Sequence, residues 1–264
     1  MGLHIFYYNE TMIELLVLFF VPFVGTMLGS LSVFFLPNGL GAKTEKVVLG
    51  FASGVMIAAS VWSLLLPAIE ASSYYTAAIG FLLGIVFLLL LDFIVPHLHP
   101  HSDTPEGPRS KVSKSILLVL SVTLHNIPEG MAVGASAAVS LATGSSIPMA
   151  SALALSIGIA LQNLPEGMVV AMPLLDNGKN KWKAFGMGTL SGIVEPIGSF
   201  VAFMFVAKIT SLLPILLAFA AGAMFYVVVE ELIPEMSEGD HSNIGTIGAA
   251  LGFAIMMMLD GIFG

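Results

Sequence analysis

Eight apolar runs, each long enough to cross a bilayer, take up most of this chain. They cover roughly 12–36, 46–70, 74–95, 113–141, 147–175, 183–207, 211–233 and 242–262. A backbone placed in lipid must satisfy its own N–H and C=O groups, so only helices and closed barrels can span. These runs are continuous rather than alternating in polarity, which selects helices over barrel strands. Charge agrees: only 10% of the 264 residues are charged and 57% are hydrophobic, whereas about a quarter of a soluble domain is charged. The expectation is an all-α integral membrane protein with eight transmembrane helices, residues 1–264 forming a single transmembrane domain.

Topology follows from the basic residues. Lys43 and Lys46 lie between segments one and two, Arg109, Lys111 and Lys114 between three and four, and Lys179, Lys181 and Lys183 between five and six. Only Lys208 falls on the other side. The positive-inside rule makes the crowded side cytoplasmic, and an even number of spans puts both termini outside, in the cell (plasma or inner) membrane. MGLHIFYYNETM has no basic start, so a cleaved leader is not expected. The chain contains no cysteine, which excludes disulfides and thiolate metal sites. Gly and Pro are frequent, and small residues recur at close spacing in Gly25/Gly29, Gly54/Ala58 and Gly80/Gly84. Such pairs let membrane helices approach closely.

The polar groups within the apolar runs are few and patterned. The fourth run carries LHNIPEGMAV, Leu124 to Val133, and the fifth repeats it as LQNLPEGMVV, Leu161 to Val170. Residues four apart on a helix share a face. His125 therefore joins Glu129, and Gln162 joins Glu166, with Asn126 and Asn163 on the adjoining part of that face. Glu195, next to Pro196 in the sixth run, adds a third carboxylate at similar depth. A charge at the bilayer centre costs about 2.5–3.5 kcal/mol on the insertion scale. Three carboxylates at one depth call for a compensating cation or protons. Pro128 and Pro165 cannot donate to the carbonyls of Leu124 and Leu161, so a kink is expected at each, with Gly130 and Gly167 leaving room behind the glutamates. Repetition on consecutive, antiparallel helices suggests an inverted repeat around helices four and five, and transporters bind ions at such axes.

One imidazole with several carboxylates and amides, and no sulfur, suits Zn²⁺, Fe²⁺, Mn²⁺, Co²⁺ or Cd²⁺ rather than Cu⁺. These groups suffice for one ion or a carboxylate-bridged pair. The connection around 96–112, PHLHPHSDTPEGPRSKV, places His97, His99 and His101 on the cytoplasmic side. They either collect metal there or are incidental in a polar, Pro-rich loop.

With these motifs in view, the chain resembles the ZIP (Zrt/Irt-like) family of divalent metal transporters, and its GufA-like prokaryotic branch in particular. HNIPEG and QNLPEG carry the resemblance, supported by GIVEPIG in the sixth run and FYVVVEELIPE in the seventh. The resemblance implies a first metal site of His125, Glu129, Gln162 and Glu166, and a second of Asn126, Glu129, Asn163, Glu166 and Glu195. Some relatives have Asp where Asn163 stands. A neutral amide binds a divalent cation less strongly, so either one ion binds or the second is held weakly. It also implies a cytoplasmic exit past Glu230 and Glu231, with Asp92 and the loop histidines as further candidates and Met56 beside the path, an elevator-like motion, and a homodimer.

The function expected is uptake of divalent metal, zinc foremost, from outside to cytoplasm. The metal is cargo; no resident cofactor and no nucleic-acid partner are expected. No G-x-x-x-x-G-K-[ST] occurs, so ATP is not the obvious driver. A carboxylate cluster lacking its cation takes up protons, so affinity should fall at low pH. The alternative is an intramembrane metal-dependent hydrolase. It lacks H-E-x-x-H, and only His125 of the six histidines lies within a helix core, where hydrolytic zinc usually takes two or three imidazoles. A metal sensor that binds without transporting is a third reading.

Overall fold

A computed structural model describes residues 2–36, 40–98, 105–141, 148–176, 180–239 and 242–263. It is all-helical, with eight helices long and apolar enough to span: α1 (Met12–Phe34), α2 (Ala42–Glu70), α3 (Tyr74–Ile94), α4 (Lys114–Ser140), α5 (Met149–Leu175), α6 (Lys181–Val206), α7 (Leu213–Ser237) and α8 (Ile244–Phe263). Ser73 caps α3 by accepting from the Thr76 amide at 3.2 Å, and Asn180 caps α6 by accepting from Lys183 at 2.8 Å. Each cap satisfies an amide that the first helical turn leaves without a partner.

The helices pair closely. α1 lies mainly on α5, α4 on α6, α2 on α8 and α3 on α7, and α4 and α5 also touch each other. Small residues set these contacts, because lipid gives apolar side chains no reason to prefer protein and close backbone packing must supply the attraction. A Cβ added at Gly25 would meet the Ala160 carbonyl oxygen at 2.3 Å, at Gly54 that of Ala249 at 2.0 Å, and at Gly84 that of Phe219 at 2.0 Å. The glycine spacing seen in the sequence thus marks the α1–α5, α2–α8 and α3–α7 seams. Gly130 and Gly167 act differently from the expectation. They do not open space behind the glutamates but are themselves seams: Gly130 lies against the Glu195 carbonyl of α6, and Gly167 against the Thr26 carbonyl of α1.

Prolines shape the interiors. α4 and α5 continue through Pro128, Pro165 and Pro173 as unbroken helix. α2 and α7 instead widen into π-helical turns at Ser60–Leu65 and Val228–Leu232, just before Pro67 and Pro234. Proline withholds an N–H and its ring crowds the carbonyl four residues back; an extra residue in the turn relieves that crowding. α6 is not the continuous helix read from residues 183–207. It stops at Ser191, turns through Gly192 and Ile193, and resumes at Val194. Pro196 leaves the Gly192 carbonyl without its usual helical donor, and the Glu195 amide takes it over at 3.0 Å.

Candidate metal site

The break in α6 faces α4. The Ser191 carbonyl, at the end of the first half of α6, accepts from the Asn126 amide nitrogen at 3.1 Å. That bond turns the Asn126 Oδ1 away from Ser191. Asn163 is arranged alike, its amide nitrogen donating to the Pro22 carbonyl of α1 at 3.4 Å, beside the carboxylates of Glu129 and Glu195. Gln162 donates to Glu129 Oε1 at 2.6 Å, and Thr26 donates to Glu195 Oε1 at 2.7 Å. Every one of these side chains is buried. Glu129 lies near enough to Glu166 and Glu195 for their charges to act on it.

The atoms left over share one chemistry. Asn126 Oδ1, Glu129 Oε2, Gln162 Oε1, Asn163 Oδ1, both oxygens of Glu166 and Glu195 Oε2 are buried without a hydrogen-bond partner within the protein. All are acceptors. The amide donors of Asn126 and Asn163 go to carbonyls and that of Gln162 to a carboxylate oxygen, which leaves acceptor oxygens on α4, α5 and α6. Buried acceptors without a donor in the protein are costly, and a cation or protons can compensate them.

Among the described residues, no three His, Asp or Glu side chains are grouped closely enough to hold a metal ion between them. His125 Nε2 lies 2.6 Å from Glu231 Oε1 of α7, so His125 is turned toward the exit candidates.

The exit candidates divide. Glu231 is buried at 6% exposure, because α7 runs on to Ser237 and the π turn rotates this residue inward; it is not on a solvated helix end. Glu230, its neighbour, is exposed. Asp92 accepts from the Tyr226 hydroxyl, and its other oxygen lies 3.8 Å from His97 Nε2. His97 is not in an open loop but buried, with Nδ1 2.9 Å from the Val95 carbonyl, because its backbone pairs with Glu106. His99 and His101 fall outside the described residues. Met56 is fully buried in the core.

Two cavities flank the centre. A small one, about 30 Å³, is lined by Ser121, His125, Glu166, Glu231 and Glu235, toward the end of α4 that follows Lys114. A larger one, about 460 Å³, lies at the opposite ends of the helices, lined by Ser63, Glu70, Ser136, Ser151 and Asp260 among others. There Ser63 donates to Asp260 Oδ1 at 2.7 Å, and Asp260 Oδ2 has no partner within the protein. Thr26, Ser63, Ser191 and Asp260 were not picked out from sequence. The one signal available was an Asp within an otherwise apolar eighth run; a serine or threonine in a membrane helix is too common to stand out.

Residues 100–260 match the sequence profile of the family described as "ZIP Zinc transporter". The chain belongs to the ZIP family. It is 37% identical to the zinc transporter ZIPB of Bordetella bronchiseptica, over 92% of this chain and 79% of that protein. It is 34% identical to the zinc transporter GufA of Myxococcus xanthus, over 89% of this chain and 93% of that protein. Human zinc transporter ZIP11 is 34% identical, over 80% of this chain and 86% of its own length. HNIPEG, QNLPEG and GIVEPIG of this ZIP chain all lie within the matched stretch.

Proposed function

We propose that this ZIP protein carries zinc, together with other small divalent cations such as Cd²⁺, Fe²⁺ and Mn²⁺, across the cell membrane into the cytoplasm through the centre of α4, α5 and α6. The observation that carries the reading is the set of buried acceptor oxygens without a donor in the protein on Asn126, Glu129, Gln162, Asn163, Glu166 and Glu195. A hydrolase needs an activated water and usually several imidazoles; here a single histidine, His125, stands among the oxygens, and the relatives are named as transporters.

The cavities support a path. The small one lies on the side of Lys43, Lys46 and Lys114, which the positive-inside rule makes cytoplasmic, and the larger one on the outer side. In this reading a cation is drawn to Asp260 and Ser63, moves to the central oxygens, and leaves past Glu231, Glu235 and the Asp92–His97 pair. Carboxylates at a cavity mouth raise the local cation concentration. Asp260→Asn is expected to raise the KM for zinc uptake by about tenfold with little change in maximal rate; a normal KM in that variant removes Asp260 from the path. His125→Ala is expected to let Mn²⁺ compete against Zn²⁺ on the order of tenfold better, because imidazole favours zinc. Competition profiles that match the unmodified protein remove His125 from the site.

The helix pairing supports the rest. Exchanging α1 with α6, α2 with α7, α3 with α8 and α4 with α5 leaves the set of paired helices unchanged, as an inverted repeat requires. It also maps the π turn of α2 onto that of α7. We assign the ion-bearing helices α1, α4, α5 and α6 to a group that moves against α2, α3, α7 and α8, and the working unit to a homodimer in the bilayer. Uptake of a panel of divalent metals into proteoliposomes, with and without a pH gradient, tests the function. Metal-dependent uptake that Glu129→Ala removes is expected; binding without flux would establish a sensor instead.

A further inference from the structure

We propose that Thr26 is a selectivity-determining positioning residue, which by holding one oxygen of Glu195 biases that carboxylate toward a single contact with the ion and so favours small cations over large ones. This inference rests on the central oxygens being the transport site.

Thr26 and Glu195 belong to different helices, α1 and α6, yet both are completely buried. The Thr26 hydroxyl donates to Glu195 Oε1 at 2.7 Å. Glu195 Oε2 is the oxygen left without a partner. A hydroxyl has one proton to give, and here it is given to the carboxylate. Both ends of this hydrogen bond are fixed by backbone. The main chain of Thr26 is pressed against α5, where a Cβ at Gly167 would lie 2.2 Å from the Thr26 carbonyl oxygen. The main chain of Glu195 is pressed against α4, where a Cβ at Gly130 would lie 2.3 Å from the Glu195 carbonyl oxygen. Gly192, in the break of α6, leaves the pair its space: a Cβ there would come within 2.8 Å of Glu195 Oε1 and 2.9 Å of Thr26 Oγ1. The break in α6 and the α1–α5 and α4–α6 seams thus converge on this one contact.

The consequence is stereochemical. Carboxylates chelate large cations readily with both oxygens, whereas zinc takes few ligands at about 2.0–2.2 Å. With one lone pair of Oε1 taken by Thr26 and the carboxylate held in place, Glu195 presents Oε2 to the ion more readily than both oxygens. Removing the hydroxyl frees Oε1 to turn and favours bidentate binding of a large ion. A hydrogen bond to a charged group is worth about a factor of ten or more, and that is the size of preference Thr26 can impose.

The test is initial uptake of Zn²⁺ and Cd²⁺ from equimolar mixtures into proteoliposomes, comparing the unmodified protein with Thr26→Val, Thr26→Ala and Thr26→Ser. The Cd²⁺ to Zn²⁺ ratio is expected to rise about tenfold in Thr26→Val and Thr26→Ala and to stay at the unmodified value in Thr26→Ser, which keeps the hydroxyl. Should Thr26→Val assemble poorly, Thr26→Ala carries the comparison, and equilibrium binding of the two metals to detergent-purified protein reads the same ratio without flux. An unchanged ratio in the variants lacking the hydroxyl overturns the proposal, and so does an equal rise in Thr26→Ser. Glu129→Ala, run alongside, separates the two claims. If it transports normally, the site assignment itself has failed; if it is inactive while the Thr26 variants keep the original ratio, only the role of Thr26 has failed.

Discussion

Glu129→Ala and Glu166→Ala are each expected to abolish zinc uptake into proteoliposomes while leaving folded protein in the membrane. Both carboxylates are buried and are proposed ligands of the transported ion. Losing one charged partner of a buried ion costs about 3 kcal/mol or more, roughly a hundredfold in affinity. The alanine variant of Glu129 also strips the Gln162 amide of its acceptor, at about 1–3 kcal/mol of stability. Glu129→Gln separates the effects, because it keeps an acceptor for Gln162 at 2.6 Å while removing the charge. It is expected to hold the thermal stability of the unmodified protein and still lose uptake. Transport retained in both Glu129→Gln and Glu166→Ala would refute the central site.

Gly130→Ala is expected to be nearly as severe, for a steric reason. Its added Cβ would stand 2.3 Å from the Glu195 carbonyl oxygen and 2.8 Å from the Glu195 Cα. Both are backbone atoms and cannot swing aside, so α4 and α6 must part by about an ångström. Overpacking of this kind costs about 1–3 kcal/mol. It also separates Glu129 from Glu195 and pulls Asn126 from the Ser191 carbonyl. Uptake should fall more than tenfold, since misplacing ligands by an ångström costs on the order of a hundredfold where geometry is tight. Gly186→Ala is the control: a Cβ there meets nothing within 4 Å, and neither stability nor uptake should change. Equal behaviour of the two variants would show that the α4–α6 seam is looser than its geometry implies.

The residues of the candidate site were legible because their placement is expensive. His125, Glu129, Gln162, Glu166 and Glu195 interrupt apolar runs, and lipid makes such interruptions costly enough to be conspicuous. Glu231 was legible as a residue but not in its setting: the π turn that brings it to 2.6 Å from His125 depends on how α7 relieves the crowding at Pro234. Thr26 and Ser63 were illegible. A hydroxyl in a membrane helix bonds back to its own helix as readily as across to another, as Ser53 does to the Leu49 carbonyl at 2.9 Å, and only the neighbouring helix decides which.

The sequence by itself determined the eight spans and the polar residues within them, because the bilayer makes a single demand, internal hydrogen bonding of every backbone polar group, that each apolar run meets alone as a helix. The tertiary structure decided which helices pair, where α6 breaks, and which way each carboxamide and carboxylate turns. Those outcomes depend on backbones meeting at glycine seams, between residues as far apart in the chain as Thr26 and Glu195, and no local pattern of residues encodes such a meeting.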